Sequence, residues 1–441
     1  MVKLNVVDLW TQLLGELSGP FTVPGTVHFA SLLTGGALAR PRPLVTEIVT
    51  ALGRQRQWRA TEWFLEKGKW PTDRTESTLC SMAAQAPGQR QVWSVDDMKA
   101  LKSGKHIWGT CSFHEYTSRC SNRPETVWAH NWVVFGALRG GTSNEFLPTM
   151  GRLYIREGQR PEAHPFRTKP QMAVEMARQC AQAVPGPHLL VFDGGYAIRT
   201  VVRPLIDPPP GTPRVEFLTR LRGDARLYSE PPQRRPGQPG RPRLWGERLA
   251  APQQAEHWDE RWHQAQAHLY GRNRSVRYKQ QFGQWHPAGP EGRVHAFVFQ
   301  VEGYSKPWRL VTSDLSLSPI EVLETYAARF AQEDAHRELK QQLGLGTEQG
   351  RCKNVVLRSF LLRAATLTLL VLLRQKLNED AGVWWYRPSW YRQKKRASIR
   401  DVLRVLREAK EEFSQLDWRG LKVQKPPGPH ARPAAAPPHA A

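Results

Sequence analysis

The sequence predicts a mixed α/β fold in which helices come first and a sheet follows. Three observations carry that prediction. Residues up to about 90 repeat apolar side chains at helical spacing. From residue 91 onward short β-type runs alternate with helical ones. The run Leu189 to Phe192 is wholly apolar and ends at Asp193-Gly194-Gly195, which is how a strand buried on both faces enters a loop.

The elements follow in order. Val45 to Gly53 reads as a helix stopped by glycine, and Ala60 to Leu65 as a second. Strands are expected at Gln91 to Val95, Asn131 to Leu138 and Phe146 to Ile155, then a helix from Pro170 to Ala183, then strands at Leu189 to Phe192 and Val215 to Leu221. Residues 208–213 and 231–243 are rich in Pro and Gly, and the second stretch adds Arg234, Arg235, Arg241 and Arg243, so it reads as an exposed basic loop. Strand-like runs return at Val294 to Val301 and Arg309 to Thr312. A long helix follows, with Ser318 as its N-cap, Pro319 at the first helical position, Glu321 completing a capping box and Gly344 as its stop. An amphipathic helix is expected from Ile399 to Phe413, and the Pro- and Ala-rich residues 425–441 are expected to be disordered.

Charge narrows the functional classes. The chain has 63 Lys and Arg against 40 Asp and Glu, a formal charge of +23, which favours a polyanionic partner because each cation set on a phosphate releases a counterion. Five scattered cysteines suit a reducing cytoplasm. His106, Cys111, His114 and Cys120 match no standard zinc spacing and read as packing residues. No secretory leader is expected at the N-terminus. The most apolar run, Ala364 to Leu373, is closed by Arg363 and Arg374, well short of the roughly 20 residues that span a bilayer, so it reads as a buried helix and no membrane partner is expected.

The chemistry-bearing residues are carboxylates. Asp97 and Asp193 fall at strand ends, where open sheets collect their chemistry, and Glu333 lies on the long helix. On an uninterrupted helix Tyr326, Arg329, Glu333 and Lys340 project within an arc of about 60°. Gathered carboxylates repel one another unless a cation neutralises them, so such a set suits divalent metal. Two Mg²⁺ ions about 4 Å apart are the arrangement that phosphodiester chemistry asks for, and Arg329, Lys340 and Tyr326 would then meet DNA phosphates.

The spacing Y-x2-R-x3-E-x6-K of those four residues resembles the YREK signature of bacterial insertion-sequence DDE transposases, family four and its relatives. The likeness extends to LVTSDLSLSP before the helix, KQQLG after the lysine, VFDGGYA around Asp193, and GKHIWG and HNWVVFGAL beyond the first aspartate, and covers most of residues 20 to 410. The resemblance implies a ribonuclease H-like catalytic core (91–222 and 316–376) interrupted by a β-rich insertion domain (223–315). A helical DNA-binding domain (1–90) would precede it, and a basic helical segment (377–424) and the tail would follow. It implies a catalytic and metal-binding triad of Asp97, Asp193 and Glu333 with Mg²⁺ or Mn²⁺. The implied partners are terminal inverted repeats and target DNA, handled as a homodimer in the bacterial cytoplasm near the nucleoid. The family usually reads Asp-Asp-Thr where this chain has Asp96-Asp97-Met98, which leaves Asp96 as the rival of Asp97. That departure keeps open a catalytically impaired DNA-binding protein, and a standalone DNA endonuclease is the other alternative. Trp245, Trp258, Trp262, Trp285 and Trp308 of the insertion are candidates for stacking a flipped base, none of them assigned. The run Trp384 to Arg396 interleaves aromatic and basic residues, a pattern suited to phosphate contact with stacking or to a solvated linker.

Overall fold

The computed structural model describes residues 5–39, 44–104, 106–115, 125–140, 144–162, 164–233, 239–258, 261–381 and 384–421. Arg234, Arg235, Cys120 and the tail expected to be disordered lie outside them.

Five helices open the chain: α1 (Val6–Ser18), α2 (Val23–Leu38), α3 (Val45–Ala51), α4 (Trp58–Lys67) and α5 (Thr72–Ala83). Asn5 and Thr22 cap the first two, and Gly53 takes φ +66 just past α3, the left-handed turn that a glycine stop supplies. The sheet-forming region begins with β1 (Gln91–Leu101), β2 (Cys111–Glu115), β3 (Glu125–Arg139) and β4 (Glu145–Tyr154). It continues through α6 (Lys169–Ala183), β5 (His188–Phe192), α7 (Arg199–Ile206) and β6 (Val215–Arg220). β1 pairs antiparallel with β3 and parallel with β5, β5 pairs parallel with β6, and β4 pairs antiparallel with β3. The result is a mixed sheet with helical crossovers, consistent with a ribonuclease H-like core.

Residues 223–315 supply β7 (Leu227–Tyr228), β8 (His263–Leu269), β9 (Arg272–Trp285), β10 (Arg293–Val301) and β11 (Trp308–Thr312). They continue the same sheet, because β11 pairs antiparallel with β6 and β10 with β11, giving eleven strands in one sheet among the described residues. Phe217, Phe297 and Phe299 are fully buried along this continuation, so its apolar faces merge with the core of the first half.

The long helix of the sequence reading is two helices, α8 (Pro319–Ala328) and α9 (Ala331–Gln341). Its start is where the capping residues put it: Ser318 Oγ accepts from the Glu321 N–H while the Glu321 carboxylate accepts from the Ser318 N–H. Its continuity fails at Arg329 and Phe330, where the amides of Arg329, Phe330, Gln332 and Glu333 all bond three residues back instead of four. Each residue in such a tight turn advances about 120° instead of about 100°, so the single arc computed for the tetrad does not survive the junction.

After α9 come α10 (Lys353–Ala381), α11 (Ile399–Glu408) and α12 (Lys410–Gln415). α10 is longer than its apolar run because Arg363 and Arg374 lie inside it. Arg363 donates to the carbonyls of Ser359 and Leu343, and Arg374 pairs with Glu145 at 2.7 Å. Lys353–Asn378 is long and apolar enough to cross a membrane by length and composition, but 83% of that window is buried inside the protein, so it is the core helix. α1, α2, α4, α5 and α11 surround it, and β4 lies against it where Gly151 leaves room for the Phe360 ring; a Cβ there would stand 2.1 Å from that ring.

Candidate active site

The parity of β1 decides which aspartate meets the helices. Side chains alternate across a strand, and Ser94 on one face donates to Gln332 of α9 at 2.6 Å. Asp96 shares that face, and its Oδ2 accepts from Arg329 Nη1 at 2.9 Å. Trp93 and Asp97 take the other face, where Trp93 Nε1 donates to His188 and Asp97 is paired with Lys169 of α6 at 2.5 Å. The residue expected first in the triad, Asp97, therefore points to the layer opposite Glu333, and Asp96 holds the position facing it. The reason is the side-chain period of two: shifting by one residue changes face.

Parallel pairing of β1 with β5 supplies the second carboxylate. Val95 is opposite Phe192, the last pair in the ladder, so Asp96, still within β1, and Asp193, just past β5, stand side by side. Asp193 turns directly into a short helical turn, its Oδ1 accepting from the Gly195 N–H at 2.9 Å while Thr219 of β6 donates to its carbonyl. Glu333 stands near the start of α9, its side chain about half exposed, with Oε1 3.5 Å from Arg329 Nη2. Arg329 thus lies between Asp96 and Glu333.

Burial pushes the Asp96 carboxyl up to about 6, Arg329 pulls it back, and the neighbouring charges of Asp193 and Asp97 push it further up. Burial works against the Arg329 charge, but Tyr326, Asp96, Glu333 and Asp193 more than offset it and hold the guanidinium above its usual value. Tyr326 is buried under Arg329, its ring 5.8 Å from the guanidinium carbon and edge-on to Trp308. Burial, the main cause, pushes its hydroxyl up to about 12. Lys340, the fourth member of the tetrad, is turned toward Lys99 and Glu115. Partial burial and Lys99 lower its ammonium while Glu115 raises it. The structure brings Tyr326, Arg329 and Glu333 together with Asp96 and Asp193, and leaves Asp97 and Lys340 facing elsewhere.

The family model described as DDE superfamily endonuclease matches residues 28–282, more than half of the chain. The chain belongs to that family. No curated protein matches the chain. The match spans Asp96, Asp97 and Asp193 and ends before Glu333, whose position beside them rests on the geometry of α9.

In this DDE endonuclease the donor set fits a hard divalent cation by its chemistry. Asp96, Asp193 and Glu333 offer only carboxylate oxygens, and burial raises the Asp96 carboxyl, with the charges of Asp193 and Asp97 adding a repulsion that a cation relieves. Among the described residues no three His, Cys, Asp or Glu side chains already surround one point, and Arg329 is the charge that now separates Asp96 from Glu333. Cys111, part of the sequence considered for zinc, is buried on β2 and accepts from the Arg156 N–H.

Tyr196 was missed by the motif reading. Its hydroxyl is buried without a hydrogen-bond partner, and burial together with Asp97, Asp96 and Asp193 holds it far above the usual tyrosine range, so it stays protonated as a donor. The signal available in the sequence was its place three residues after Asp193. Of the five insertion tryptophans, Trp258 and Trp285 are core residues and Trp245 stacks on His286, whereas Trp308 reaches the Tyr326 side of the site.

Proposed function

We propose that this DDE endonuclease is a transposase of the insertion-sequence type. In this reading it binds terminal inverted repeats as a dimer, cleaves DNA to expose 3′-hydroxyls and joins those ends to target DNA. The observation that carries the proposal is the convergence of Asp96, Asp193 and Glu333 on Arg329 from two parallel strands and a helix start. Asp96, Asp193 and Glu333 are the residues that would hold Mg²⁺ or Mn²⁺. Two such ions supply activation of the attacking hydroxyl and stabilisation of the leaving oxygen in an in-line displacement.

The protein's own groups account for the rest. Arg329 presents a planar fork suited to a phosphate, so an entering backbone phosphate competes with Asp96 and Glu333 for the same guanidinium. Drawing Arg329 onto the phosphate leaves the carboxylates free for a cation, which links substrate entry to assembly of the site. Tyr326 fixes the guanidinium from below. Tyr196, protonated and buried beside the aspartates without a hydrogen-bond partner, keeps an unused donor available to them. Lys340, standing toward Lys99, extends positive charge away from the reacting centre along the DNA path.

The test is a strand-transfer assay on a labelled inverted repeat with Mg²⁺ or Mn²⁺, comparing the wild type with Asp193→Ala and Glu333→Ala. Cleaved ends and joined products from the wild type alone support the proposal. Cleavage without end recognition or joining marks a standalone nuclease, and DNA binding with no metal-dependent product marks a protein that keeps the fold without the chemistry.

A further inference from the structure

Between α10 and α11 runs Trp-Trp-Tyr-Arg-Pro-Ser-Trp-Tyr-Arg-Gln-Lys-Lys-Arg, residues 384–396, which neither the sheet nor the carboxylate site uses. The segment is anchored. Lys394 Nζ donates to the Tyr386 carbonyl at 3.0 Å and pairs with Asp401 at 2.5 Å, and Asp401 accepts from the Ser398 amide and hydroxyl at the cap of α11. Pro388 is buried beneath it, and Trp384 Nε1 donates to Asn378 of α10. The loop is thus closed on itself and tied to both flanking helices.

On this closed loop Tyr386, Trp390 and Tyr391 are 58%, 82% and 54% exposed. A single exposed ring is ordinary, but three on one short anchored loop form a patch that asks for a partner. Arg387, Arg392, Lys395 and Arg396 are exposed between and beside them, Arg387 standing 5.7 Å from the Trp385 ring, and residues 384–396 contain no carboxylate.

We infer that this loop binds unpaired nucleotides, the exposed rings stacking on bases and the four cations meeting the phosphates between them. The pattern selects single-stranded over duplex DNA because a duplex hides its base faces in its own stack, leaving only the phosphates to be read. A second copy of the same surface is a poor occupant, since an isologous contact would set four cations against four with no acid between them. The inference needs DNA as the substrate class and does not depend on which carboxylates do the chemistry.

The experiment uses the full chain in EDTA, so that no cleavage intervenes. Binding of a labelled oligo-dT and of a duplex of equal length is followed by fluorescence anisotropy at several salt concentrations, for the wild type, Trp390→Ala/Tyr391→Ala and Arg387→Gln/Arg392→Gln. The expected result is a loss of about tenfold in oligo-dT affinity for each ring removed, with duplex affinity nearly unchanged. The Arg387→Gln/Arg392→Gln pair weakens oligo-dT binding and flattens its salt dependence. Unchanged oligo-dT affinity in Trp390→Ala/Tyr391→Ala overturns the inference. So does an equal loss for duplex and single strand, and so does a change in oligomeric state on gel filtration with DNA affinity intact, which would make the patch a protein interface. The transposase reading fails on a different readout, the absence of metal-dependent cleavage by the wild type.

Discussion

Arg329 occupies the electrostatic centre of the site: one nitrogen meets Asp96, another faces Glu333, and Tyr326 lies beneath. A lysine there keeps the charge and loses the fork. Arg329→Lys is therefore expected to lower metal-dependent DNA cleavage by about 10²-fold, the scale of losing one transition-state donor. Mn²⁺ binding, followed by calorimetric titration without DNA, is expected to stay the same or tighten. Loss of both together would mean that Arg329 serves the fold and not the phosphate. A second residue makes a pH prediction away from the site. Burial pushes the Glu338 carboxyl up to about 7 from 4.5, with Asp334 pushing it further while Arg374, Arg396 and Arg337 pull it back. Because its folded value is raised, the native state holds the proton over that window. Its contribution to stability is greatest below about pH 4.5, falls as pH rises toward 7 and then levels, by on the order of 3 kcal/mol. Glu338→Gln flattens that decline in urea titrations taken across the window; an unchanged slope contradicts the assignment. Which of two adjacent aspartates meets the helix was not readable at this scale, because Trp93 and Ser94 are both buried and the run gives no polar face to set parity.

The elements show where local signals suffice. The start of α8 follows from Ser318, Pro319 and Glu321 alone, and the end of β5 at Asp193 from its unbroken apolar run. The break between α8 and α9 leaves no such mark, since Ala327-Ala328-Arg329-Phe330-Ala331 has no Gly or Pro and each residue accepts a helix. Tertiary contacts set it: Arg329 reaches Asp96 while Gln332, three residues on, reaches Ser94 and the Val134 carbonyl. A second tie holds the linker after α9. Lys102, just past β1, pairs with Glu348 at 2.8 Å, with Arg363 of α10 at 3.8 Å on the other side, all three buried. Glu348→Ala leaves two buried cations without their acid and is expected to cost about 3–5 kcal/mol in chemical denaturation. A cost below about 1 kcal/mol, the range of an exposed pair, would show the linker to be held by packing alone.

At the scale of the whole molecule, one sheet joins parts that the sequence separates. The resemblance makes residues 223–315 an insertion, yet β11 pairs with β6 and carries β10 and β9 onto the same sheet. Periodicity identified the strands at 294–301 and 309–312; no local rule says which strand they join. Deleting residues 223–307 is expected to uncover the apolar surface around Phe217 and leave insoluble protein, as sedimentation after expression would show. A soluble, cooperatively folding core would mean that the insertion is energetically separate.

The same sheet fixes the central claim, since its register sets Asp96 beside Asp193 and under Arg329 while Asp97 turns to Lys169. The most direct measurement is metal-dependent cleavage and joining of a labelled inverted repeat by Asp96→Asn and Asp97→Asn, each checked for folding by circular dichroism. The account predicts that Asp96→Asn loses activity by at least about 10³-fold, as loss of a metal-holding carboxylate should, while Asp97→Asn keeps most of it. Activity retained in Asp96→Asn and abolished in Asp97→Asn would contradict it.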